Sequence, residues 1–171
     1  MGKQFAAMEP AHREFILRQR IFFTGSAAEG TRVNVSPKDG AALRIVNERA
    51  VAYLDQTGSG AETAAHLMAD GRLTLMFCAF DGPPVILRMY GRGRSVVRGT
   101  AEYGELLNSL FDGEERPGAR QIVWLDVELV QTSCGFGVPL FEYAGERPTL
   151  IRWAESKGEQ TWWNTGGARM R

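Results

Sequence analysis

The chain has 171 residues, and its twenty basic and twenty acidic side chains cancel to a formal net charge of zero. This length predicts one domain, spanning residues 1–171, with its own core. A neutral chain lacks the basic surface of a general nucleic-acid binder, and no apolar run is long enough to cross a membrane. The N-terminus lacks the apolar segment of a signal peptide. Two distant cysteines, Cys78 and Cys134, indicate a reduced, cytoplasmic protein without a metal site.

The first predicted elements are an N-terminal helix over residues 9–20 and three strands. Pro10 suits a first helical turn, and Phe15 and Ile16 are expected to face inward. The three strands are predicted at residues 21–25, 31–35 and 42–46. Between the second and third, the sequence SPKDG predicts a turn over residues 36–40, which places Lys38 in that turn.

The segment AVAYLDQTGSGAETAAHLMAD, residues 50–70, is the most informative part of the chain. It predicts a strand at residues 50–54, a polar turn at 55–58 and a helix that ends at Asp70-Gly71. Ser59 and Glu62 form the S-x-x-E pattern of a capping box at the helix start. Such a strand-turn-helix gathers backbone N–H groups and hydroxyls that can hold a phosphate, although many capped helices bind nothing.

The next predicted strand, residues 72–80, is apolar on both faces, which is typical of a strand in a covered barrel wall or in a subunit interface. A hairpin connection at residues 81–84 leads into a long strand at 85–97. Along that strand Arg88, Tyr90, Arg92 and Arg94 share one face. This face is either a solvated outer surface or the source of a phosphate ligand, for which Arg88 is the candidate. Gly91 and Gly93 indicate a bend or a close approach.

The last predicted elements are a helix at residues 103–111, an exposed loop at 112–118, a strand at 121–132, and a C-terminal helix and tail at about 146–171. In the strand, one face is expected to carry Val123, Leu125, Val127 and Leu129. The C-terminal helix covers residues 148–157, and the tail carries Trp162 and Trp163. Many strands and a few short helices predict a small antiparallel β-barrel with helices outside, whose mouth is a natural ligand site.

Two groups of residues are candidates for binding. Lys38 and Arg88, with the hydroxyls of Thr57, Ser59 and Thr63, could cradle a dianionic phosphate at the helix N-terminus. Farther along, Cys134, Gly135 and Gly137 in TSCGFGVPLF form either a wall for a flat ring system or a strand end that simply turns. No nucleophile elbow is present, and Cys134 has no neighbouring base.

Four segments, in order, resemble the pyridoxamine 5′-phosphate oxidase-related flavoproteins over roughly residues 10–157: VNVSPK, AVAYLDQTGSGAETAAHL, RLTLMFCAFDGPPVILRMYGRGR and DVELVQTSCGFGVPLF. The resemblance implies a mainly β, FMN-binding split barrel of about six antiparallel strands, a homodimer, and FMN at the subunit interface. By position, it assigns flavin contacts to the residues that match the family's motifs: Val35, Ser36, Lys38, Leu54, Asp55, Thr57, Ser59 and Arg88. Gly58, in the turn between Thr57 and Ser59, is a further candidate for cofactor binding.

The chain departs from this family pattern at two places. Members that oxidise pyridoxamine phosphate carry Ser-Arg-Lys at the helix start, where this chain has Ser59-Gly60-Ala61. The C-terminal Arg/His signature is also missing from LIRWAESKGEQTWW, so vitamin B6 oxidation is not expected. The sequence predicts an FMN-dependent oxidoreductase of unknown substrate. The alternatives are a flavin-binding module without turnover, or a relative that uses a deazaflavin or haem.

Overall fold

The computed structural model describes residues 2–58 and 61–157. These residues form eight strands and four α-helices, and a 3₁₀ helix, Gly40–Ala42, links β3 to β4. The strands are β1 Lys3–Phe5, β2 Ile21–Ser26, β3 Asn34–Asp39, β4 Leu43–Asn47, β5 Ala50–Gln56, β6 Arg72–Cys78, β7 Val85–Val97 and β8 Ala119–Cys134. The helices are α1 Pro10–Arg18, α2 Glu62–Ala69, α3 Ala101–Phe111 and α4 Thr149–Lys157.

All strands belong to one curled antiparallel sheet in the order β3-β2-β6-β7-β8-β5-β4, and β1 pairs with the far end of β8. Strands β3 and β4 are therefore its two edges. Within the described residues no hydrogen-bonded ladder joins these edges, so the barrel is closed on one side and open along a seam. The predicted mainly β architecture is confirmed, with eight strands in the described part rather than about six.

The inner face of the sheet is packed inside the barrel, and part of the outer face is covered by α3, which gives two apolar cores. Inside the barrel, the Phe22 ring lies 5.4 Å from the Tyr53 ring and 5.6 Å from the Phe77 ring, measured between centroids. Outside, Leu54 and Ile122 pack beneath α3 in a second cluster. Strand β5 contributes to both cores and is buried on both faces, so its C-terminal end is firmly placed.

Strand β6 lies between β2 and β7 in the barrel wall, as one of the two sequence-based interpretations of its apolar faces predicted. Leu73, Leu75 and Phe77 point into the core and are at most 2% exposed. On the outer face Met76 is half-buried.

The predicted turn at residues 36–40 was wrong, and so was the strand at 31–35. Strand β3 begins at Asn34 and continues through Pro37 and Lys38 to Asp39. Proline has no N–H to donate, but an edge strand leaves one side of its backbone without a partner strand, so Pro37 is tolerated there. Lys38 consequently lies in a strand, opposite Phe22 and on the inner face of the sheet.

A β-bulge in β8 changes which side chains face the core. The register of β7 against β8 shifts between Tyr90 and Gly91, where Leu129 and Val127 are the partners and Glu128 is the extra residue. Leu129 therefore lies opposite Tyr90 on the outer face, which corrects its predicted inward position, and Val130 takes the inner place. Gly91 permits this because a Cβ there would lie 1.9 Å from the Asp126 carbonyl oxygen.

The helices follow the predictions closely, except at the start of α2. Helix α1 begins at Pro10, α3 begins two residues before its prediction, and α4 matches its predicted range within one residue. Helix α2 begins at Glu62 with Ala61 as its N-cap, without a side-chain capping bond. Glu62 is therefore the first helical residue rather than the third, and the predicted capping box with Ser59 is wrong. Trp162 and Trp163 lie outside the described residues.

The helices of the described chain are too short or too polar to span a lipid bilayer.

The bulge gives a test of the fold. Replacing Gly91 by Ala should lower the free energy of unfolding by at least about 2 kcal/mol, because the new methyl group would collide with backbone. Gly104 is the matched control, since it lies within α3 with open space around its Cβ position. Gly104→Ala should stabilise by about 0.5–1 kcal/mol in urea unfolding. Equal effects of the two substitutions would contradict the close approach at Gly91.

Candidate functional site

A cleft of about 490 Å³ opens at the end of the barrel, where the seam separates β3 from the end of β5. Strand β3 forms one side, and the other sides come from the segment after β5, the first turn of α2, the start of β8 and one residue of α4. The lining residues are Asn34, Ser36, Pro37, Lys38, Asp39, Ala42, Leu54, Asp55, Gln56, Thr57, Gly58, Glu62, Thr63, Arg120 and Leu150.

Asp55 is the electrostatic centre of this cleft. It is the last inward-facing residue of β5, beyond the core residues Val51 and Tyr53, and it is only 2% exposed. The Lys38 ammonium donates to Oδ1 of Asp55 at 2.6 Å. The Arg120 Nε donates to Oδ2 at 2.8 Å. Two cations from two other strands therefore share one buried carboxylate.

The ionised form of Asp55 is favoured by these neighbours. Burial by itself raises the pKa of the Asp55 carboxyl, but Lys38, Arg120 and the Gln121 side chain together hold that pKa below its ordinary value. The Gln121 amide donates to Oδ2 at 2.8 Å and is itself 4% exposed. Asp55 is consequently a fixed anion that orients two cations at the cleft.

The segment after Asp55 is attached to the start of β8 by two further bonds. The Gln56 side-chain amide donates to the Pro117 carbonyl at 2.8 Å, and the Thr57 N–H donates to the Gly118 carbonyl at 2.6 Å. Thr57 is 5% exposed. These bonds fix the floor of the cleft next to Arg120 before the chain turns toward α2.

Helix α2 is tied to the β2–β3 hairpin by two side-chain bonds. The Asn34 amide donates to the Thr63 hydroxyl at 3.0 Å, and Ser26 bonds to Nδ1 of His66 at 3.0 Å with both residues buried. Ser26 and Asn34 are directly opposite each other in the β2–β3 ladder. The cross-strand pair Ser26 and Asn34 therefore holds one turn of α2 and positions the N-terminal end of this helix at the cleft.

The remaining charges at the cleft are more exposed. Asp39 accepts from Arg116 at 2.6 Å, and both side chains are about one-third exposed. Glu62 in the first helical turn is exposed at the rim, where water and salt screen its charge. Deeper in, the two cations Lys38 and Arg120 face the single carboxylate of Asp55. Among the described residues that line the deep part of the cleft, two cations therefore accompany one carboxylate.

Tyr53 lies directly beneath this charge cluster. The Lys38 ammonium is 5.8 Å from the centroid of its ring. Burial raises the pKa of the Tyr53 phenol, and the nearby Asp55 carboxylate raises it further. Among the described residues the buried Tyr53 hydroxyl has no hydrogen-bond partner of good geometry. Tyr53 therefore stays neutral and forms the boundary between the apolar barrel interior and the polar cleft.

The structure brings seven of the predicted site residues together in this cleft: Ser36, Lys38, Leu54, Asp55, Thr57, Gly58 and Thr63. Val35 is in the same strand but points to the other face and is 62% exposed. Ser59 lies outside the described residues. The predicted strand-turn-helix corner is thus a real concave site, although Asp55 belongs to β5 itself and not to the turn.

Arg88 does not line this cleft, so a single chain does not bring Lys38 and Arg88 together, and their shared phosphate cradle stays a prediction. Arg88 lies opposite Met76 and Gln131 on the outer face of the sheet, and its guanidinium donates to the Ser133 hydroxyl at 3.2 Å. Its neighbours on that face, Arg92 and Arg94, pair with acidic residues. In the described part of the chain these arginines therefore lie on a solvated outer surface, which is one of the two interpretations of the sequence.

Cys134, Gly135 and Gly137 also lie away from the cleft. Cys134 ends β8 opposite Val85, at the far end of that strand from Arg120, and it is exposed. Gly135 is buried against the β6–β7 connection, where a Cβ would lie 2.8 Å from the Val85 nitrogen. Close packing accounts for Gly135, whereas Cys134 and Gly137 are exposed, and none of the three lines this cleft.

Sequence reasoning missed Asn34, Gln56, Arg120 and Gln121. Gln121 lies directly opposite Asp55 in the β5–β8 ladder, and Arg120 is the residue before it. Their separation from Asp55 by 65 and 66 positions hides the contact. One sequence pattern could have indicated them: Arg120 and Gln121 are two consecutive polar residues at the start of a strand that otherwise alternates between apolar and polar residues.

Comparison with known proteins identifies the family of this chain. The family model described as pyridoxamine 5′-phosphate oxidase matches residues 8–134, which include all the strands except β1. The pyridoxamine 5′-phosphate oxidase family protein ustO of Aspergillus flavus is 37% identical over 175 aligned residues, covering 90% of this chain and 70% of that protein.

Solved structures agree at the level of the fold. HupZ of Group A Streptococcus aligns with a TM-score of 0.55 at 15% identity, over 71% of this chain and 91% of that one. A Clostridium acetobutylicum protein related to general stress protein 26, of the pyridoxinephosphate oxidase family, aligns with a TM-score of 0.55 at 13% identity, over 72% and 86%. The half-closed antiparallel barrel is therefore a split barrel. The chain belongs to the pyridoxamine 5′-phosphate oxidase family.

The buried carboxylate gives a test of the site's construction. Asp55→Asn should destabilise the protein by about 2–3 kcal/mol at pH 7. This is less than the roughly 3–5 kcal/mol expected for a fully buried pair, because the Lys38 and Arg120 side chains are partly exposed to water. The pKa of Asp55 is lowered in the folded state, so its stabilisation is complete above its unfolded pKa of about 3.9 and is lost as the pH falls below that value.

The measurement is urea unfolding of both proteins at several pH values between 7 and 3. The stability difference between the wild type and Asp55→Asn should be constant from pH 7 to about 5 and shrink below about pH 4. Asp81→Asn, which removes an exposed carboxylate at the β6–β7 turn, is the control and should change stability by less than about 0.5 kcal/mol. A stability difference between the two proteins that is as large at pH 3 as at pH 7 would contradict an ionised Asp55.

Proposed function

We propose that the protein is an FMN-dependent oxidoreductase whose cleft between β3 and β5 holds the phosphate end of the flavin. The observation that carries this proposal is the pair of cations, Lys38 and Arg120, fixed on buried Asp55 at the floor of a polar cleft. Membership of the pyridoxamine 5′-phosphate oxidase family supports a flavin as the ligand.

The donor set of the cleft suits a phosphate. An ammonium carries three N–H donors, and Lys38 uses one of them on Asp55 while its side chain remains 21% exposed. Hydroxyls of Ser36 and Thr63 line the same cleft, and the N-terminal end of α2 adds backbone N–H groups. Cation, hydroxyls and helix N-terminus thus converge on one small volume.

The chain's own residues bind and orient the flavin. When bound, FMN supplies the redox chemistry, exchanging a hydride equivalent with a substrate at its ring. No histidine lines the described part of the cleft, and its buried acid is committed to two cations, so we assign no general acid or base there. Asp55 holds Lys38 and Arg120 in place, and Asn34 holds the α2 end against β3.

A comparison of FMN with riboflavin tests the phosphate site, because riboflavin lacks only the phosphate. In Lys38→Met, which keeps the aliphatic stem, the dissociation constant for FMN should rise by at least about tenfold, the effect of losing one charge-assisted contact. The dissociation constant for riboflavin should change by less than about threefold. Quenching of flavin fluorescence on titration measures both constants.

Two further variants sharpen this test. Glu62→Gln removes the exposed negative charge at the rim and should tighten FMN binding a few-fold at low salt, with the gain disappearing at high salt. Arg94→Met removes a cation of the outer face that pairs with Glu102, and it should leave both constants unchanged. If Lys38→Met weakens FMN and riboflavin equally, or neither, the phosphate does not lie at this cleft.

Turnover distinguishes an oxidoreductase from a flavin-binding module. FMN-loaded protein should consume NADH or NADPH in the presence of an artificial electron acceptor, at a rate that falls with flavin occupancy in Lys38→Met. Tight FMN binding without any turnover would agree with the proposed phosphate site but would reject the proposal that the protein is an enzyme.

We further propose that two chains associate through exposed apolar side chains, with the flavin ring near their interface. Phe136 is 84% exposed and Leu140 is 75% exposed, both in the segment after β8, and Val35 on the edge strand β3 is 62% exposed. Large exposed apolar patches are typical of subunit contacts.

Sedimentation equilibrium should therefore give a mass twice the 18.9 kDa of one chain. The double variant Phe136→Asp/Leu140→Asp should weaken association by at least about tenfold, because it places charges in an apolar contact. Met68→Asp is the control, since Met68 is 86% exposed on α2, outside the proposed contact. A wild-type monomer at micromolar concentration would reject the dimer.

A further inference from the structure

The hydroxyl of Tyr53 is a buried polar group that the contacts of the site do not explain. Among the described residues it is the buried side-chain oxygen that lacks a hydrogen-bond partner of good geometry, and the side chain is 1% exposed. Such a hydroxyl costs free energy, and Phe would fill the same space without that cost. The hydroxyl is therefore expected to gain a partner in another state of the site.

The ring of Tyr53 is fixed by its packing, so the hydroxyl cannot turn away to solvent. It packs edge-on against the Phe22 ring, with planes inclined at 70°. On the two neighbouring strands Tyr53 lies opposite the buried residues Leu43 and Val123. In a closely packed core only the hydroxyl hydrogen can rotate freely, about its C–O bond.

Thr24 is near the Tyr53 hydroxyl but is not a well-aligned partner for it. Burial and the Asp55 carboxylate raise the pKa of the Tyr53 phenol, and the Thr24 hydroxyl lowers this pKa by a smaller amount, which places Thr24 nearby. The Thr24 hydroxyl itself donates to the Ser36 carbonyl at 3.4 Å. Its hydrogen is thus directed to β3, and the Tyr53 O–H lies beside it without a bond of good geometry.

Asp55 is the next acceptor on the same face of the strand. Tyr53 and Asp55 are alternate residues of β5 and both face inward, so their backbones are about 6.6 Å apart along the strand. The Lys38 ammonium lies 2.6 Å from Oδ1 of Asp55 and 5.8 Å from the centroid of the Tyr53 ring. The ammonium therefore contacts the carboxylate and faces the phenol ring at the same time.

The two oxygens of Asp55 depend on different donors. Oδ2 accepts from Arg120 and from Gln121, each at 2.8 Å. Among the described residues, Oδ1 accepts from the Lys38 ammonium alone. An anion that draws this ammonium outward would leave Oδ1 without a donor, which is costly for a carboxylate that is 2% exposed.

We infer that the Tyr53 hydroxyl is an alternative donor to Oδ1 of Asp55, used when the Lys38 ammonium turns toward a bound phosphate. Tyr53 is thus a positioning residue: it acts through Asp55 and Lys38 and does not touch the ligand. The role in phosphate binding rests on the proposed function. The contact between Tyr53 and Asp55 in the absence of the ammonium does not.

Urea unfolding of the full chain without flavin tests the alternative donor. Tyr53→Phe alone should change the equilibrium constant for unfolding by less than about threefold, because the removed hydroxyl has no partner to lose. In the Lys38→Met background Oδ1 of Asp55 has lost the ammonium. There the same substitution should raise the unfolding constant by at least about tenfold, the effect of losing a hydrogen bond to a charged group.

Tyr103→Phe is the matched control, since Tyr103 is 3% exposed in α3 and its hydroxyl donates to Glu115 at 2.7 Å. This substitution should raise the unfolding constant by about tenfold in the wild type and by the same factor in Lys38→Met, because α3 covers the other face of the sheet. A Tyr53→Phe effect as large as that of Tyr103→Phe in the wild type, or one equal in both backgrounds, would overturn the inference.

Flavin binding is a second measurement, which does not require the Lys38 variant to fold. Tyr53→Phe should raise the dissociation constant for FMN by about fivefold, because Oδ1 loses its alternative donor when the ammonium turns to the phosphate. The constant for riboflavin, which leaves the ammonium on Asp55, should change by less than about twofold. Tyr103→Phe should change neither constant.

These measurements distinguish a failure of this inference from a failure of the proposed function. If Tyr53 and Lys38 are coupled in unfolding but FMN does not bind, only the proposed function is rejected. If FMN binds and Lys38→Met weakens it selectively, but Tyr53→Phe changes neither FMN binding nor the stability of Lys38→Met, only this inference is rejected. Coupling in unfolding with an unchanged FMN constant in Tyr53→Phe would reject the role of Tyr53 in phosphate binding.

Discussion

The buried carboxylate of Asp55 is the constraint on which the rest of this site depends. An ionised group that is 2% exposed loses most of its hydration and is tolerated only when cations and donors replace the water. Lys38, Arg120 and Gln121 provide that replacement from β3 and β8. Ion pairs therefore connect β3 with β5 and β8 across the seam, where the described residues form no closing ladder.

Local features of the fold were predictable from the sequence, and long-range ones were not. The bounds of β7, the helix that ends near Gly71 and the clustering of Asp55, Thr57 and Thr63 follow from periodicity and turn chemistry within twenty residues. The contacts of Arg120 and Gln121 with Asp55 depend on which strands pair. Strand pairing is set by burial across the whole sheet, which one sequence segment does not encode.

The arginines of β7 show a second limit. Alternation along a strand correctly placed Arg88, Arg92 and Arg94 on one face, but it does not say whether that face is the inside of the barrel. The answer lies in the partner strands, because Leu75 and Val130 opposite Met89 fill the interior and leave Met76 and Gln131 beside Arg88 outside. Lys38 was misplaced for a related reason, since Pro37 resembles a turn residue but is acceptable on an edge strand.

Two cations on one carboxylate also explain how the cleft can bind an anion without losing its own structure. If Lys38 alone neutralised Asp55, a ligand that drew the ammonium away would leave a buried charge without compensation. Oδ2 of Asp55 accepts hydrogen bonds from Arg120 and from the Gln121 amide. The carboxylate therefore keeps partners of its own when the remaining N–H donors of Lys38 bind a ligand.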